Sequence, residues 1–401
     1  MPPSGWLNDP NGVCRIDDRY HVFYQHNPDG PTHANVHWGH ASSADLLHWT
    51  HEPIALAPIP GTANAQGCWS GCVVDDGGVP TAVYTAVQDH AWNAGVAVAR
   101  SDRMLREWQQ DPVIKVGTPD DPTIDEVRDP FVFSHGGHRY AVQGAGHHHG
   151  DPQLLLYGCD DLNVWTPLGP LLTIDDPVAA TVAPANIWEC PNLFQLGGRW
   201  VLLLSQWRHV DGTHELAGVR HLVGDLQQSD GGLRFVAESG GPVDTGPTFY
   251  APQVLVDGGR VLLWGWAWEG AQRTPEDVEA AGWAGVLTFP RELSLGPDGL
   301  VSHPAAELIE LRSAELSALE PIRETSFEIV SPGPLELVLV DPAAGSREVA
   351  VSTVGATRVL IDGSIVEVFT DGPSVTSRHY PTATGHWEVA TPAGARVWRL
   401  G

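Results

Sequence analysis

Basic residues are scarce in this chain: 22 Lys and Arg stand against 49 Asp and Glu, a formal net charge of −27 over 401 residues. No basic stripe is therefore available to neutralise nucleic-acid phosphates, and anionic lipid would repel the excess charge, so a neutral ligand suits the chain better. No stretch approaches the ~18 apolar residues of a membrane helix. The opening residues, Met-Pro-Pro-Ser-Gly-Trp, contain neither a basic segment nor an apolar run. The expectation is a soluble cytoplasmic protein, or a secreted one if a leader precedes this start. The five cysteines (Cys14, Cys68, Cys72, Cys159, Cys190) are odd in number, scattered and without CxxC spacing. Neither a disulfide framework nor a zinc site is signalled, and reduced, mostly buried thiols are expected.

Glycine (44), proline (33) and apolar residues (42%) are plentiful. That mixture fits many short strands joined by turns, an all-β chain. Its length exceeds one ordinary compact domain unless that domain is a repeat array. Five segments do repeat as strand, tight turn, strand. They begin at Asp9, Trp69, Asp129, Glu189 and Tyr250, about sixty residues apart, with turns at Asp17-Asp18-Arg19, Asp75 to Gly78, His135-Gly136-Gly137, Gly197-Gly198 and Asp257-Gly258-Gly259. A second landmark recurs out of phase, ending on Trp49, Trp108 and Trp165, and is expected to pack the outer part of each unit. A constant long period predicts four-stranded units arranged radially, a five-bladed β-propeller over residues 1–300. A two-sheet sandwich would need no such period.

In that arrangement the five starting residues line one pocket at the axis. The returning strand ends add Gln25, Asn27, Trp92, His147 to His149, Trp207, Trp266 and Trp268, with Trp38 entering from a third strand. Three carboxylates among tryptophan rings fit glycoside hydrolysis, which needs one ionised and one protonated carboxyl plus flat apolar surfaces for sugar C–H faces. Position alone does not rank the three acids. His147-His148-His149 reads as a polar rim, because neighbouring residues on a strand point apart and no partner motif for a metal is evident.

Trp6-Leu7-Asn8-Asp9-Pro10-Asn11-Gly12, Arg128-Asp129-Pro130 and Trp188-Glu189-Cys190-Pro191, in this order, resemble the three signature motifs of glycoside hydrolase family 32, the invertase, inulinase and levanase group. The resemblance runs on through Phe23 to Pro28, Trp38 to Ala41, Trp69-Ser70-Gly71, Phe249 to Gln253, Pro290 to Leu293 and Asp362 to Phe369. It implies the five-bladed propeller followed by a C-terminal β-sandwich, and a retaining mechanism on β-D-fructofuranosyl bonds. By motif match Asp9 is the expected nucleophile, Glu189 the acid/base and Asp129 the transition-state stabiliser. Asn8, Gln25, Trp38, Trp69, Ser70, Arg128 and Tyr250 are the expected substrate-binding residues. No metal or organic cofactor is implied. Three positions depart from the family pattern: His33 where many relatives carry Trp, Asn192 where Asp is usual after Glu-Cys-Pro, and Thr248 where an acid is usual before Phe-Tyr-Ala. They alter the surroundings of the site and its leaving-group side.

Residues 301–325 are expected to form a linker with a short helix, and 326–401 a small sandwich serving stability or oligomer contacts. The expected substrate is sucrose or a short fructo-oligosaccharide, with sucrose 6-phosphate, inulin and levan as alternatives. Enzymes on arabinan or xylan and a carbohydrate-binding propeller without activity are the rival readings. Whether the protein is a monomer or a homodimer is left open.

Overall fold

The computed structural model describes residues 2–90, 93–147, 149–229, 231–391 and 393–401. The chain is predominantly β, and its described α-helices, Pro177–Val182 and Pro275–Ala281, are short. No helix among the described residues is long and apolar enough to cross a membrane. All five cysteines are free, four of them buried and Cys190 half-buried.

Each of the five repeats opens on a strand: Gly5–Ile16, Gly67–Asp76, Glu126–His135, Ile187–Leu196 and Phe249–Asp257. Each folds back antiparallel on the next strand through the turn expected from its Asp or Gly residues. The five opening strands touch one another cyclically, the first against the second and so on to the fifth, which returns to the first. The third and fourth repeats share one sheet through the single pair Gly146 and Ile187. The circle is completed by Trp283–Ala284, which pairs parallel with Gly5 and Trp6.

The tryptophans of the second landmark have one shared job. The indole nitrogens of Trp49, Trp108 and Trp165 donate to the carbonyls of Leu46, Leu105 and Leu162, three residues upstream, at 3.0, 3.2 and 3.0 Å. Each ring thereby closes its own turn and covers apolar neighbours.

The stretch expected as a linker carries more structure than that. Gly299–Pro304 is a strand paired with Arg291–Gly296, and Arg312–Leu316 is a strand paired with Arg396–Leu400. Between them lies a short 3-10 helix, Ala306–Leu311, within the segment where a short helix was expected. Leu300 and Ser302 alternate inward along the first strand, but Ser302 is polar and the flanking Gly-Pro-Asp-Gly and Pro304 read as loop chemistry, so no apolar alternation marked it. The remaining residues form a six-stranded and a three-stranded sheet. Phe327, Ile329, Val359 and Val397 of one sheet and Leu335, Leu337 and Trp387 of the other share a single apolar core.

Candidate active site

A local irregularity delivers the acids. Every opening strand carries a bulge at the same place, where two residues oppose one on its partner: Asn8-Asp9, Trp69-Ser70, Asp129-Pro130, Cys190-Pro191 and Ala251-Pro252. A bulge interrupts the two-residue alternation and re-aims side chains toward the site it flanks. Asp129, Cys190 and Ala251 occupy the left-handed region, at φ of 59°, 46° and 46°. Non-glycine residues keep that conformation only where the surroundings impose it.

This geometry corrects the expectation that the three acids hold equivalent positions. Asp9 is the second residue of its bulge, Asp129 the first, and Glu189 the residue before. The fourth-repeat equivalent of Asp129 is Cys190, and the equivalents of Glu189 are Arg128 and Tyr250. Neighbouring equivalents then touch. Arg128 Nη1 donates to Glu189 Oε1 at 3.0 Å, and the Tyr250 hydroxyl donates to Glu189 Oε2 at 2.8 Å. Arg128 also pairs with Glu126. The backbone N–H of Cys190 donates to Asp129 Oδ2 at 2.9 Å, and Asp129 N–H donates to Thr85 Oγ1 at 2.7 Å. Asp9 Oδ2 accepts from Ser70 Oγ at 2.6 Å and from Gln25 Nε2 at 2.9 Å, while Asn8 Nδ2 approaches Oδ1 at 3.2 Å. The Cys190 sulfur lies 3.5 Å from Asp9 Oδ2 and 3.5 Å from Asp129 Oδ2, so one thiol spans two of the three acids.

Burial governs the charge states. It pushes the Asp9 carboxyl up to about 6, opposed by the Ser70 hydrogen bond and reinforced by Glu189. It pushes Asp129 up to about 7, with the Glu189 charge adding and Arg128 opposing. The Cys190 thiol and the Tyr250 phenol are raised well above their ordinary values, again chiefly by burial. Both remain neutral hydrogen-bond donors at any pH near 7.

The tryptophan wall is only partly as expected. The Trp69 ring lies 5.6 Å from the Arg128 guanidinium and 5.7 Å from His33, and Trp6 lies 5.7 Å edge-on to Trp266. Trp38 does not join them. It is fully buried against Phe23 and Tyr84, and its indole nitrogen holds the Trp69 carbonyl at 3.0 Å. It packs the strands behind the site because its strand runs outside the bulge, where alternation sends the ring inward. Asn27 also turns away, closing its own loop on Thr32 and Asp29. His147, His149, Trp207, His209 and His214 contact one another through their rings, and His147 faces Asp125. Trp92 and His148 lie outside the described residues. Of the departures, Asn192 fits closely: it donates to the carbonyls of Cys190 and Pro252, each at 2.9 Å, and accepts from Val254 N–H at 3.0 Å. A carboxylate there could not make both donations.

Beneath the acids the axis is nearly filled. A void of about 10 Å³ remains among Asn11, Ser70, Asp129, Cys190, Asn192 and Gln253. A larger apolar cavity, about 340 Å³, lies elsewhere, lined by Trp49, Trp264, Phe289 and Leu308 among others, with Asp362 as its single acid among the described residues. That cavity has one acid among the described residues, whereas Asp9, Asp129 and Glu189 gather at the bulges, where the Glu189 charge adds to the rise of the other two carboxyls, which makes the bulge site the candidate.

Comparison with known proteins identifies the family. The model of the glycosyl hydrolases family 32 N-terminal domain matches residues 1–304. The chain is 38% identical over 335 residues to a sucrose-6-phosphate hydrolase of Escherichia coli, covering 79% of this chain and 65% of that protein. It is 34% identical over 344 residues to a raffinose invertase of the same species, covering 82% and 68%. The chain thus spans about two thirds of the length of these relatives. Against a sucrose-6-phosphate hydrolase of Klebsiella pneumoniae it is 32% identical, covering 100% of this chain and 92% of that one. A solved β-fructofuranosidase of Bombyx mori shares the fold, with a TM-score of 0.81 at 24% identity over 100% of this chain and 92% of that one. The chain belongs to glycosyl hydrolase family 32.

Proposed function

We propose that this protein is a retaining glycosidase that releases terminal β-D-fructofuranosyl units from sucrose or short fructo-oligosaccharides. The observation that carries the reading is the convergence of Asp9, Asp129 and Glu189 from three successive levels of one repeated bulge, each with its own hydrogen-bond partners. In this reading Asp9 attacks the anomeric carbon while Glu189 gives its proton to the leaving oxygen. A fructosyl ester on Asp9 results, and Glu189 then takes a proton from the water that hydrolyses it. Asp129 accepts hydrogen bonds from the sugar hydroxyls and balances positive charge growing at the ring. Ser70, Gln25 and Asn8 orient Asp9, while Trp69, Trp6 and His33 form the wall nearest the departing sugar.

The cyclic contact of the five opening strands supports a five-bladed propeller over residues 1–300. The shared core of the last two sheets supports a sandwich that includes 326–401, with the intervening strands contributing to both parts. A neutral leaving sugar fits the mouth, because Arg128 is already engaged by Glu126 and Glu189. Initial rates on sucrose, sucrose 6-phosphate, inulin and levan test this directly. Sucrose and short oligosaccharides should lead, and dominant turnover of sucrose 6-phosphate or long levan would overturn the substrate assignment.

Acidity offers a second check. The nucleophile must be ionised, and Asp9 and Asp129 are raised to about 6 and about 7. The expected kcat/KM on sucrose therefore declines as pH falls below about 7, and steeply below about 6. An acid limb at the ordinary carboxylate range near 4 would contradict the assignment of these buried groups.

A further inference from the structure

The hydroxyl that meets Glu189 is held in place from outside its own sheet. Tyr250 lies two residues beyond the segment 243–248, which is bound by Ser374 and the strand Val375–Arg378 of the C-terminal six-stranded sheet. Thr245 N–H donates to the Ser374 carbonyl at 2.9 Å, and Thr376 N–H donates to Asp244 Oδ1 at 3.0 Å. The Thr376 hydroxyl donates to Asp244 Oδ2 at 2.7 Å, and the Thr248 hydroxyl donates to the Thr376 carbonyl at 3.1 Å. At Gly246 the two chains touch so closely that a Cβ would lie 2.0 Å from the Thr376 carbonyl oxygen. Arg291 completes the clamp, donating to Asp244 Oδ2 at 2.9 Å and placing its guanidinium 4.8 Å from the ring of Phe249, the residue before Tyr250.

We propose that the C-terminal sheet positions the proton donor of the reaction: Val375–Arg378 fixes residues 244–248, these fix Tyr250, and Tyr250 fixes the Glu189 carboxyl. The inference rests on the reading of Glu189 as acid/base. It gives the C-terminal part a share in the chemical step that its distance from the pocket would not announce. It also gives a role to Thr248, whose hydroxyl makes this contact. Tyr250, Thr248 and Gly246 are positioning residues, because none of them is required to touch the reacting atoms.

A misplaced acid has a signature that lost stability lacks. The alkoxide leaving sucrose needs a proton, whereas the p-nitrophenolate leaving p-nitrophenyl β-D-fructofuranoside departs without one. Gly246→Ala wedges a methyl against Thr376 and is expected to lower kcat/KM on sucrose about 10- to 100-fold, part of the ~10²–10⁴-fold that positioned proton transfer supplies. On the nitrophenyl fructoside kcat/KM should fall less than about threefold. Tyr250→Phe should show the same split, and the double variant should be no worse than the worse single one, since both act on one link. Should Gly246→Ala fail to fold, Thr248→Val removes one hydrogen bond without a wedge and must still show a smaller loss confined to sucrose. Equal losses on both substrates, no loss on either, or multiplying effects in the double variant would overturn the proposal. Glu189→Gln separates the two levels of inference. If that variant spares neither substrate selectively, the acid assignment itself fails; if it discriminates between them while Gly246→Ala does not, only the positioning fails.

Discussion

Asp9→Asn should abolish fructose release from sucrose while leaving a protein that is folded and more heat-stable than the original. The amide cannot form the ester, and loss of a nucleophile that works as one unit with its partners lowers kcat on the order of 10⁴-fold or more. The stability gain follows from linkage. Folding raises the Asp9 carboxyl from 3.8 to about 6, so the folded chain holds this proton more tightly than the unfolded one. That group favours the fold below its unfolded value, and the advantage is lost as pH rises through about 6. Above that pH the wild type keeps a charge in a buried place, and the amide of the variant is neutral there. The melting temperature of the variant should exceed wild type by about 2 °C or more at pH 7.5, and the gap should shrink toward pH 4. Rates beside melting curves at both pH values decide. A fully active variant removes Asp9 from its proposed role, and one less stable at pH 7.5 shows that its hydrogen bonds outweigh the cost of burying its charge.

The second large effect concerns Arg291. Its side chain is fully buried, as are the carboxylates of its partners Asp244 and Glu367. It also donates to Ser374 Oγ at 2.7 Å and to Thr376 Oγ1, and it lies between the rings of Phe249 and Phe369. Replacing it with Met keeps much of the volume but strands two acids without a counter-charge, which costs about 3–5 kcal/mol. The effect depends on pH in a fixed direction. Burial already raises Glu367, and more strongly than its pairing with Arg291 lowers it. Without the arginine Glu367 gains by taking up a proton, so the loss in Arg291→Met should be greater at pH 8 than at pH 5. Adding Glu367→Gln should restore part of the stability at pH 8. Chemical denaturation at the two pH values tests this, and a loss below about 1 kcal/mol would show that water or rearrangement satisfies the stranded acids.

The sequence carried the large features because they repeat. Five copies of strand, turn, strand and three Trp residues at matched places are periodic signals, and the opening strands and the indole-to-carbonyl bonds follow from them. What the repeat concealed was the bulge. Counting sixty residues from Asp9 reaches Asp129 and Glu189, yet the chain inserts its extra residue differently around each, and a single step along a strand reverses the direction of a side chain. One cue was present: Pro130, Pro191 and Pro252 mark the bulge in the last three repeats, and aligning on them places Cys190 beside Asp129 and Glu189 beside Arg128. Trp38 was misplaced for a related reason, since an aromatic residue near a pocket and one behind it look the same in sequence. The cluster around Arg291 joins residues 244, 367, 374 and 376, and contacts between such distant parts leave no local pattern. Gly246 in particular reads as a turn residue until Thr376 is seen against it.

The pairing of Gly5 and Trp6 with Trp283 and Ala284 has a consequence in time. As the chain emerges from the ribosome, the strand bearing Asp9 is made well before the neighbour on its edge, which comes nearly 280 residues later. Gly285, whose added Cβ would lie 1.8 Å from the Leu7 carbonyl, fits closely against that strand. Until that neighbour arrives the sheet bearing Asp9 offers an unpaired edge, the kind of surface that invites wrong partners. The proposed nucleophile would be made before Asp129 and Glu189, yet the edge of its strand is closed only after both exist.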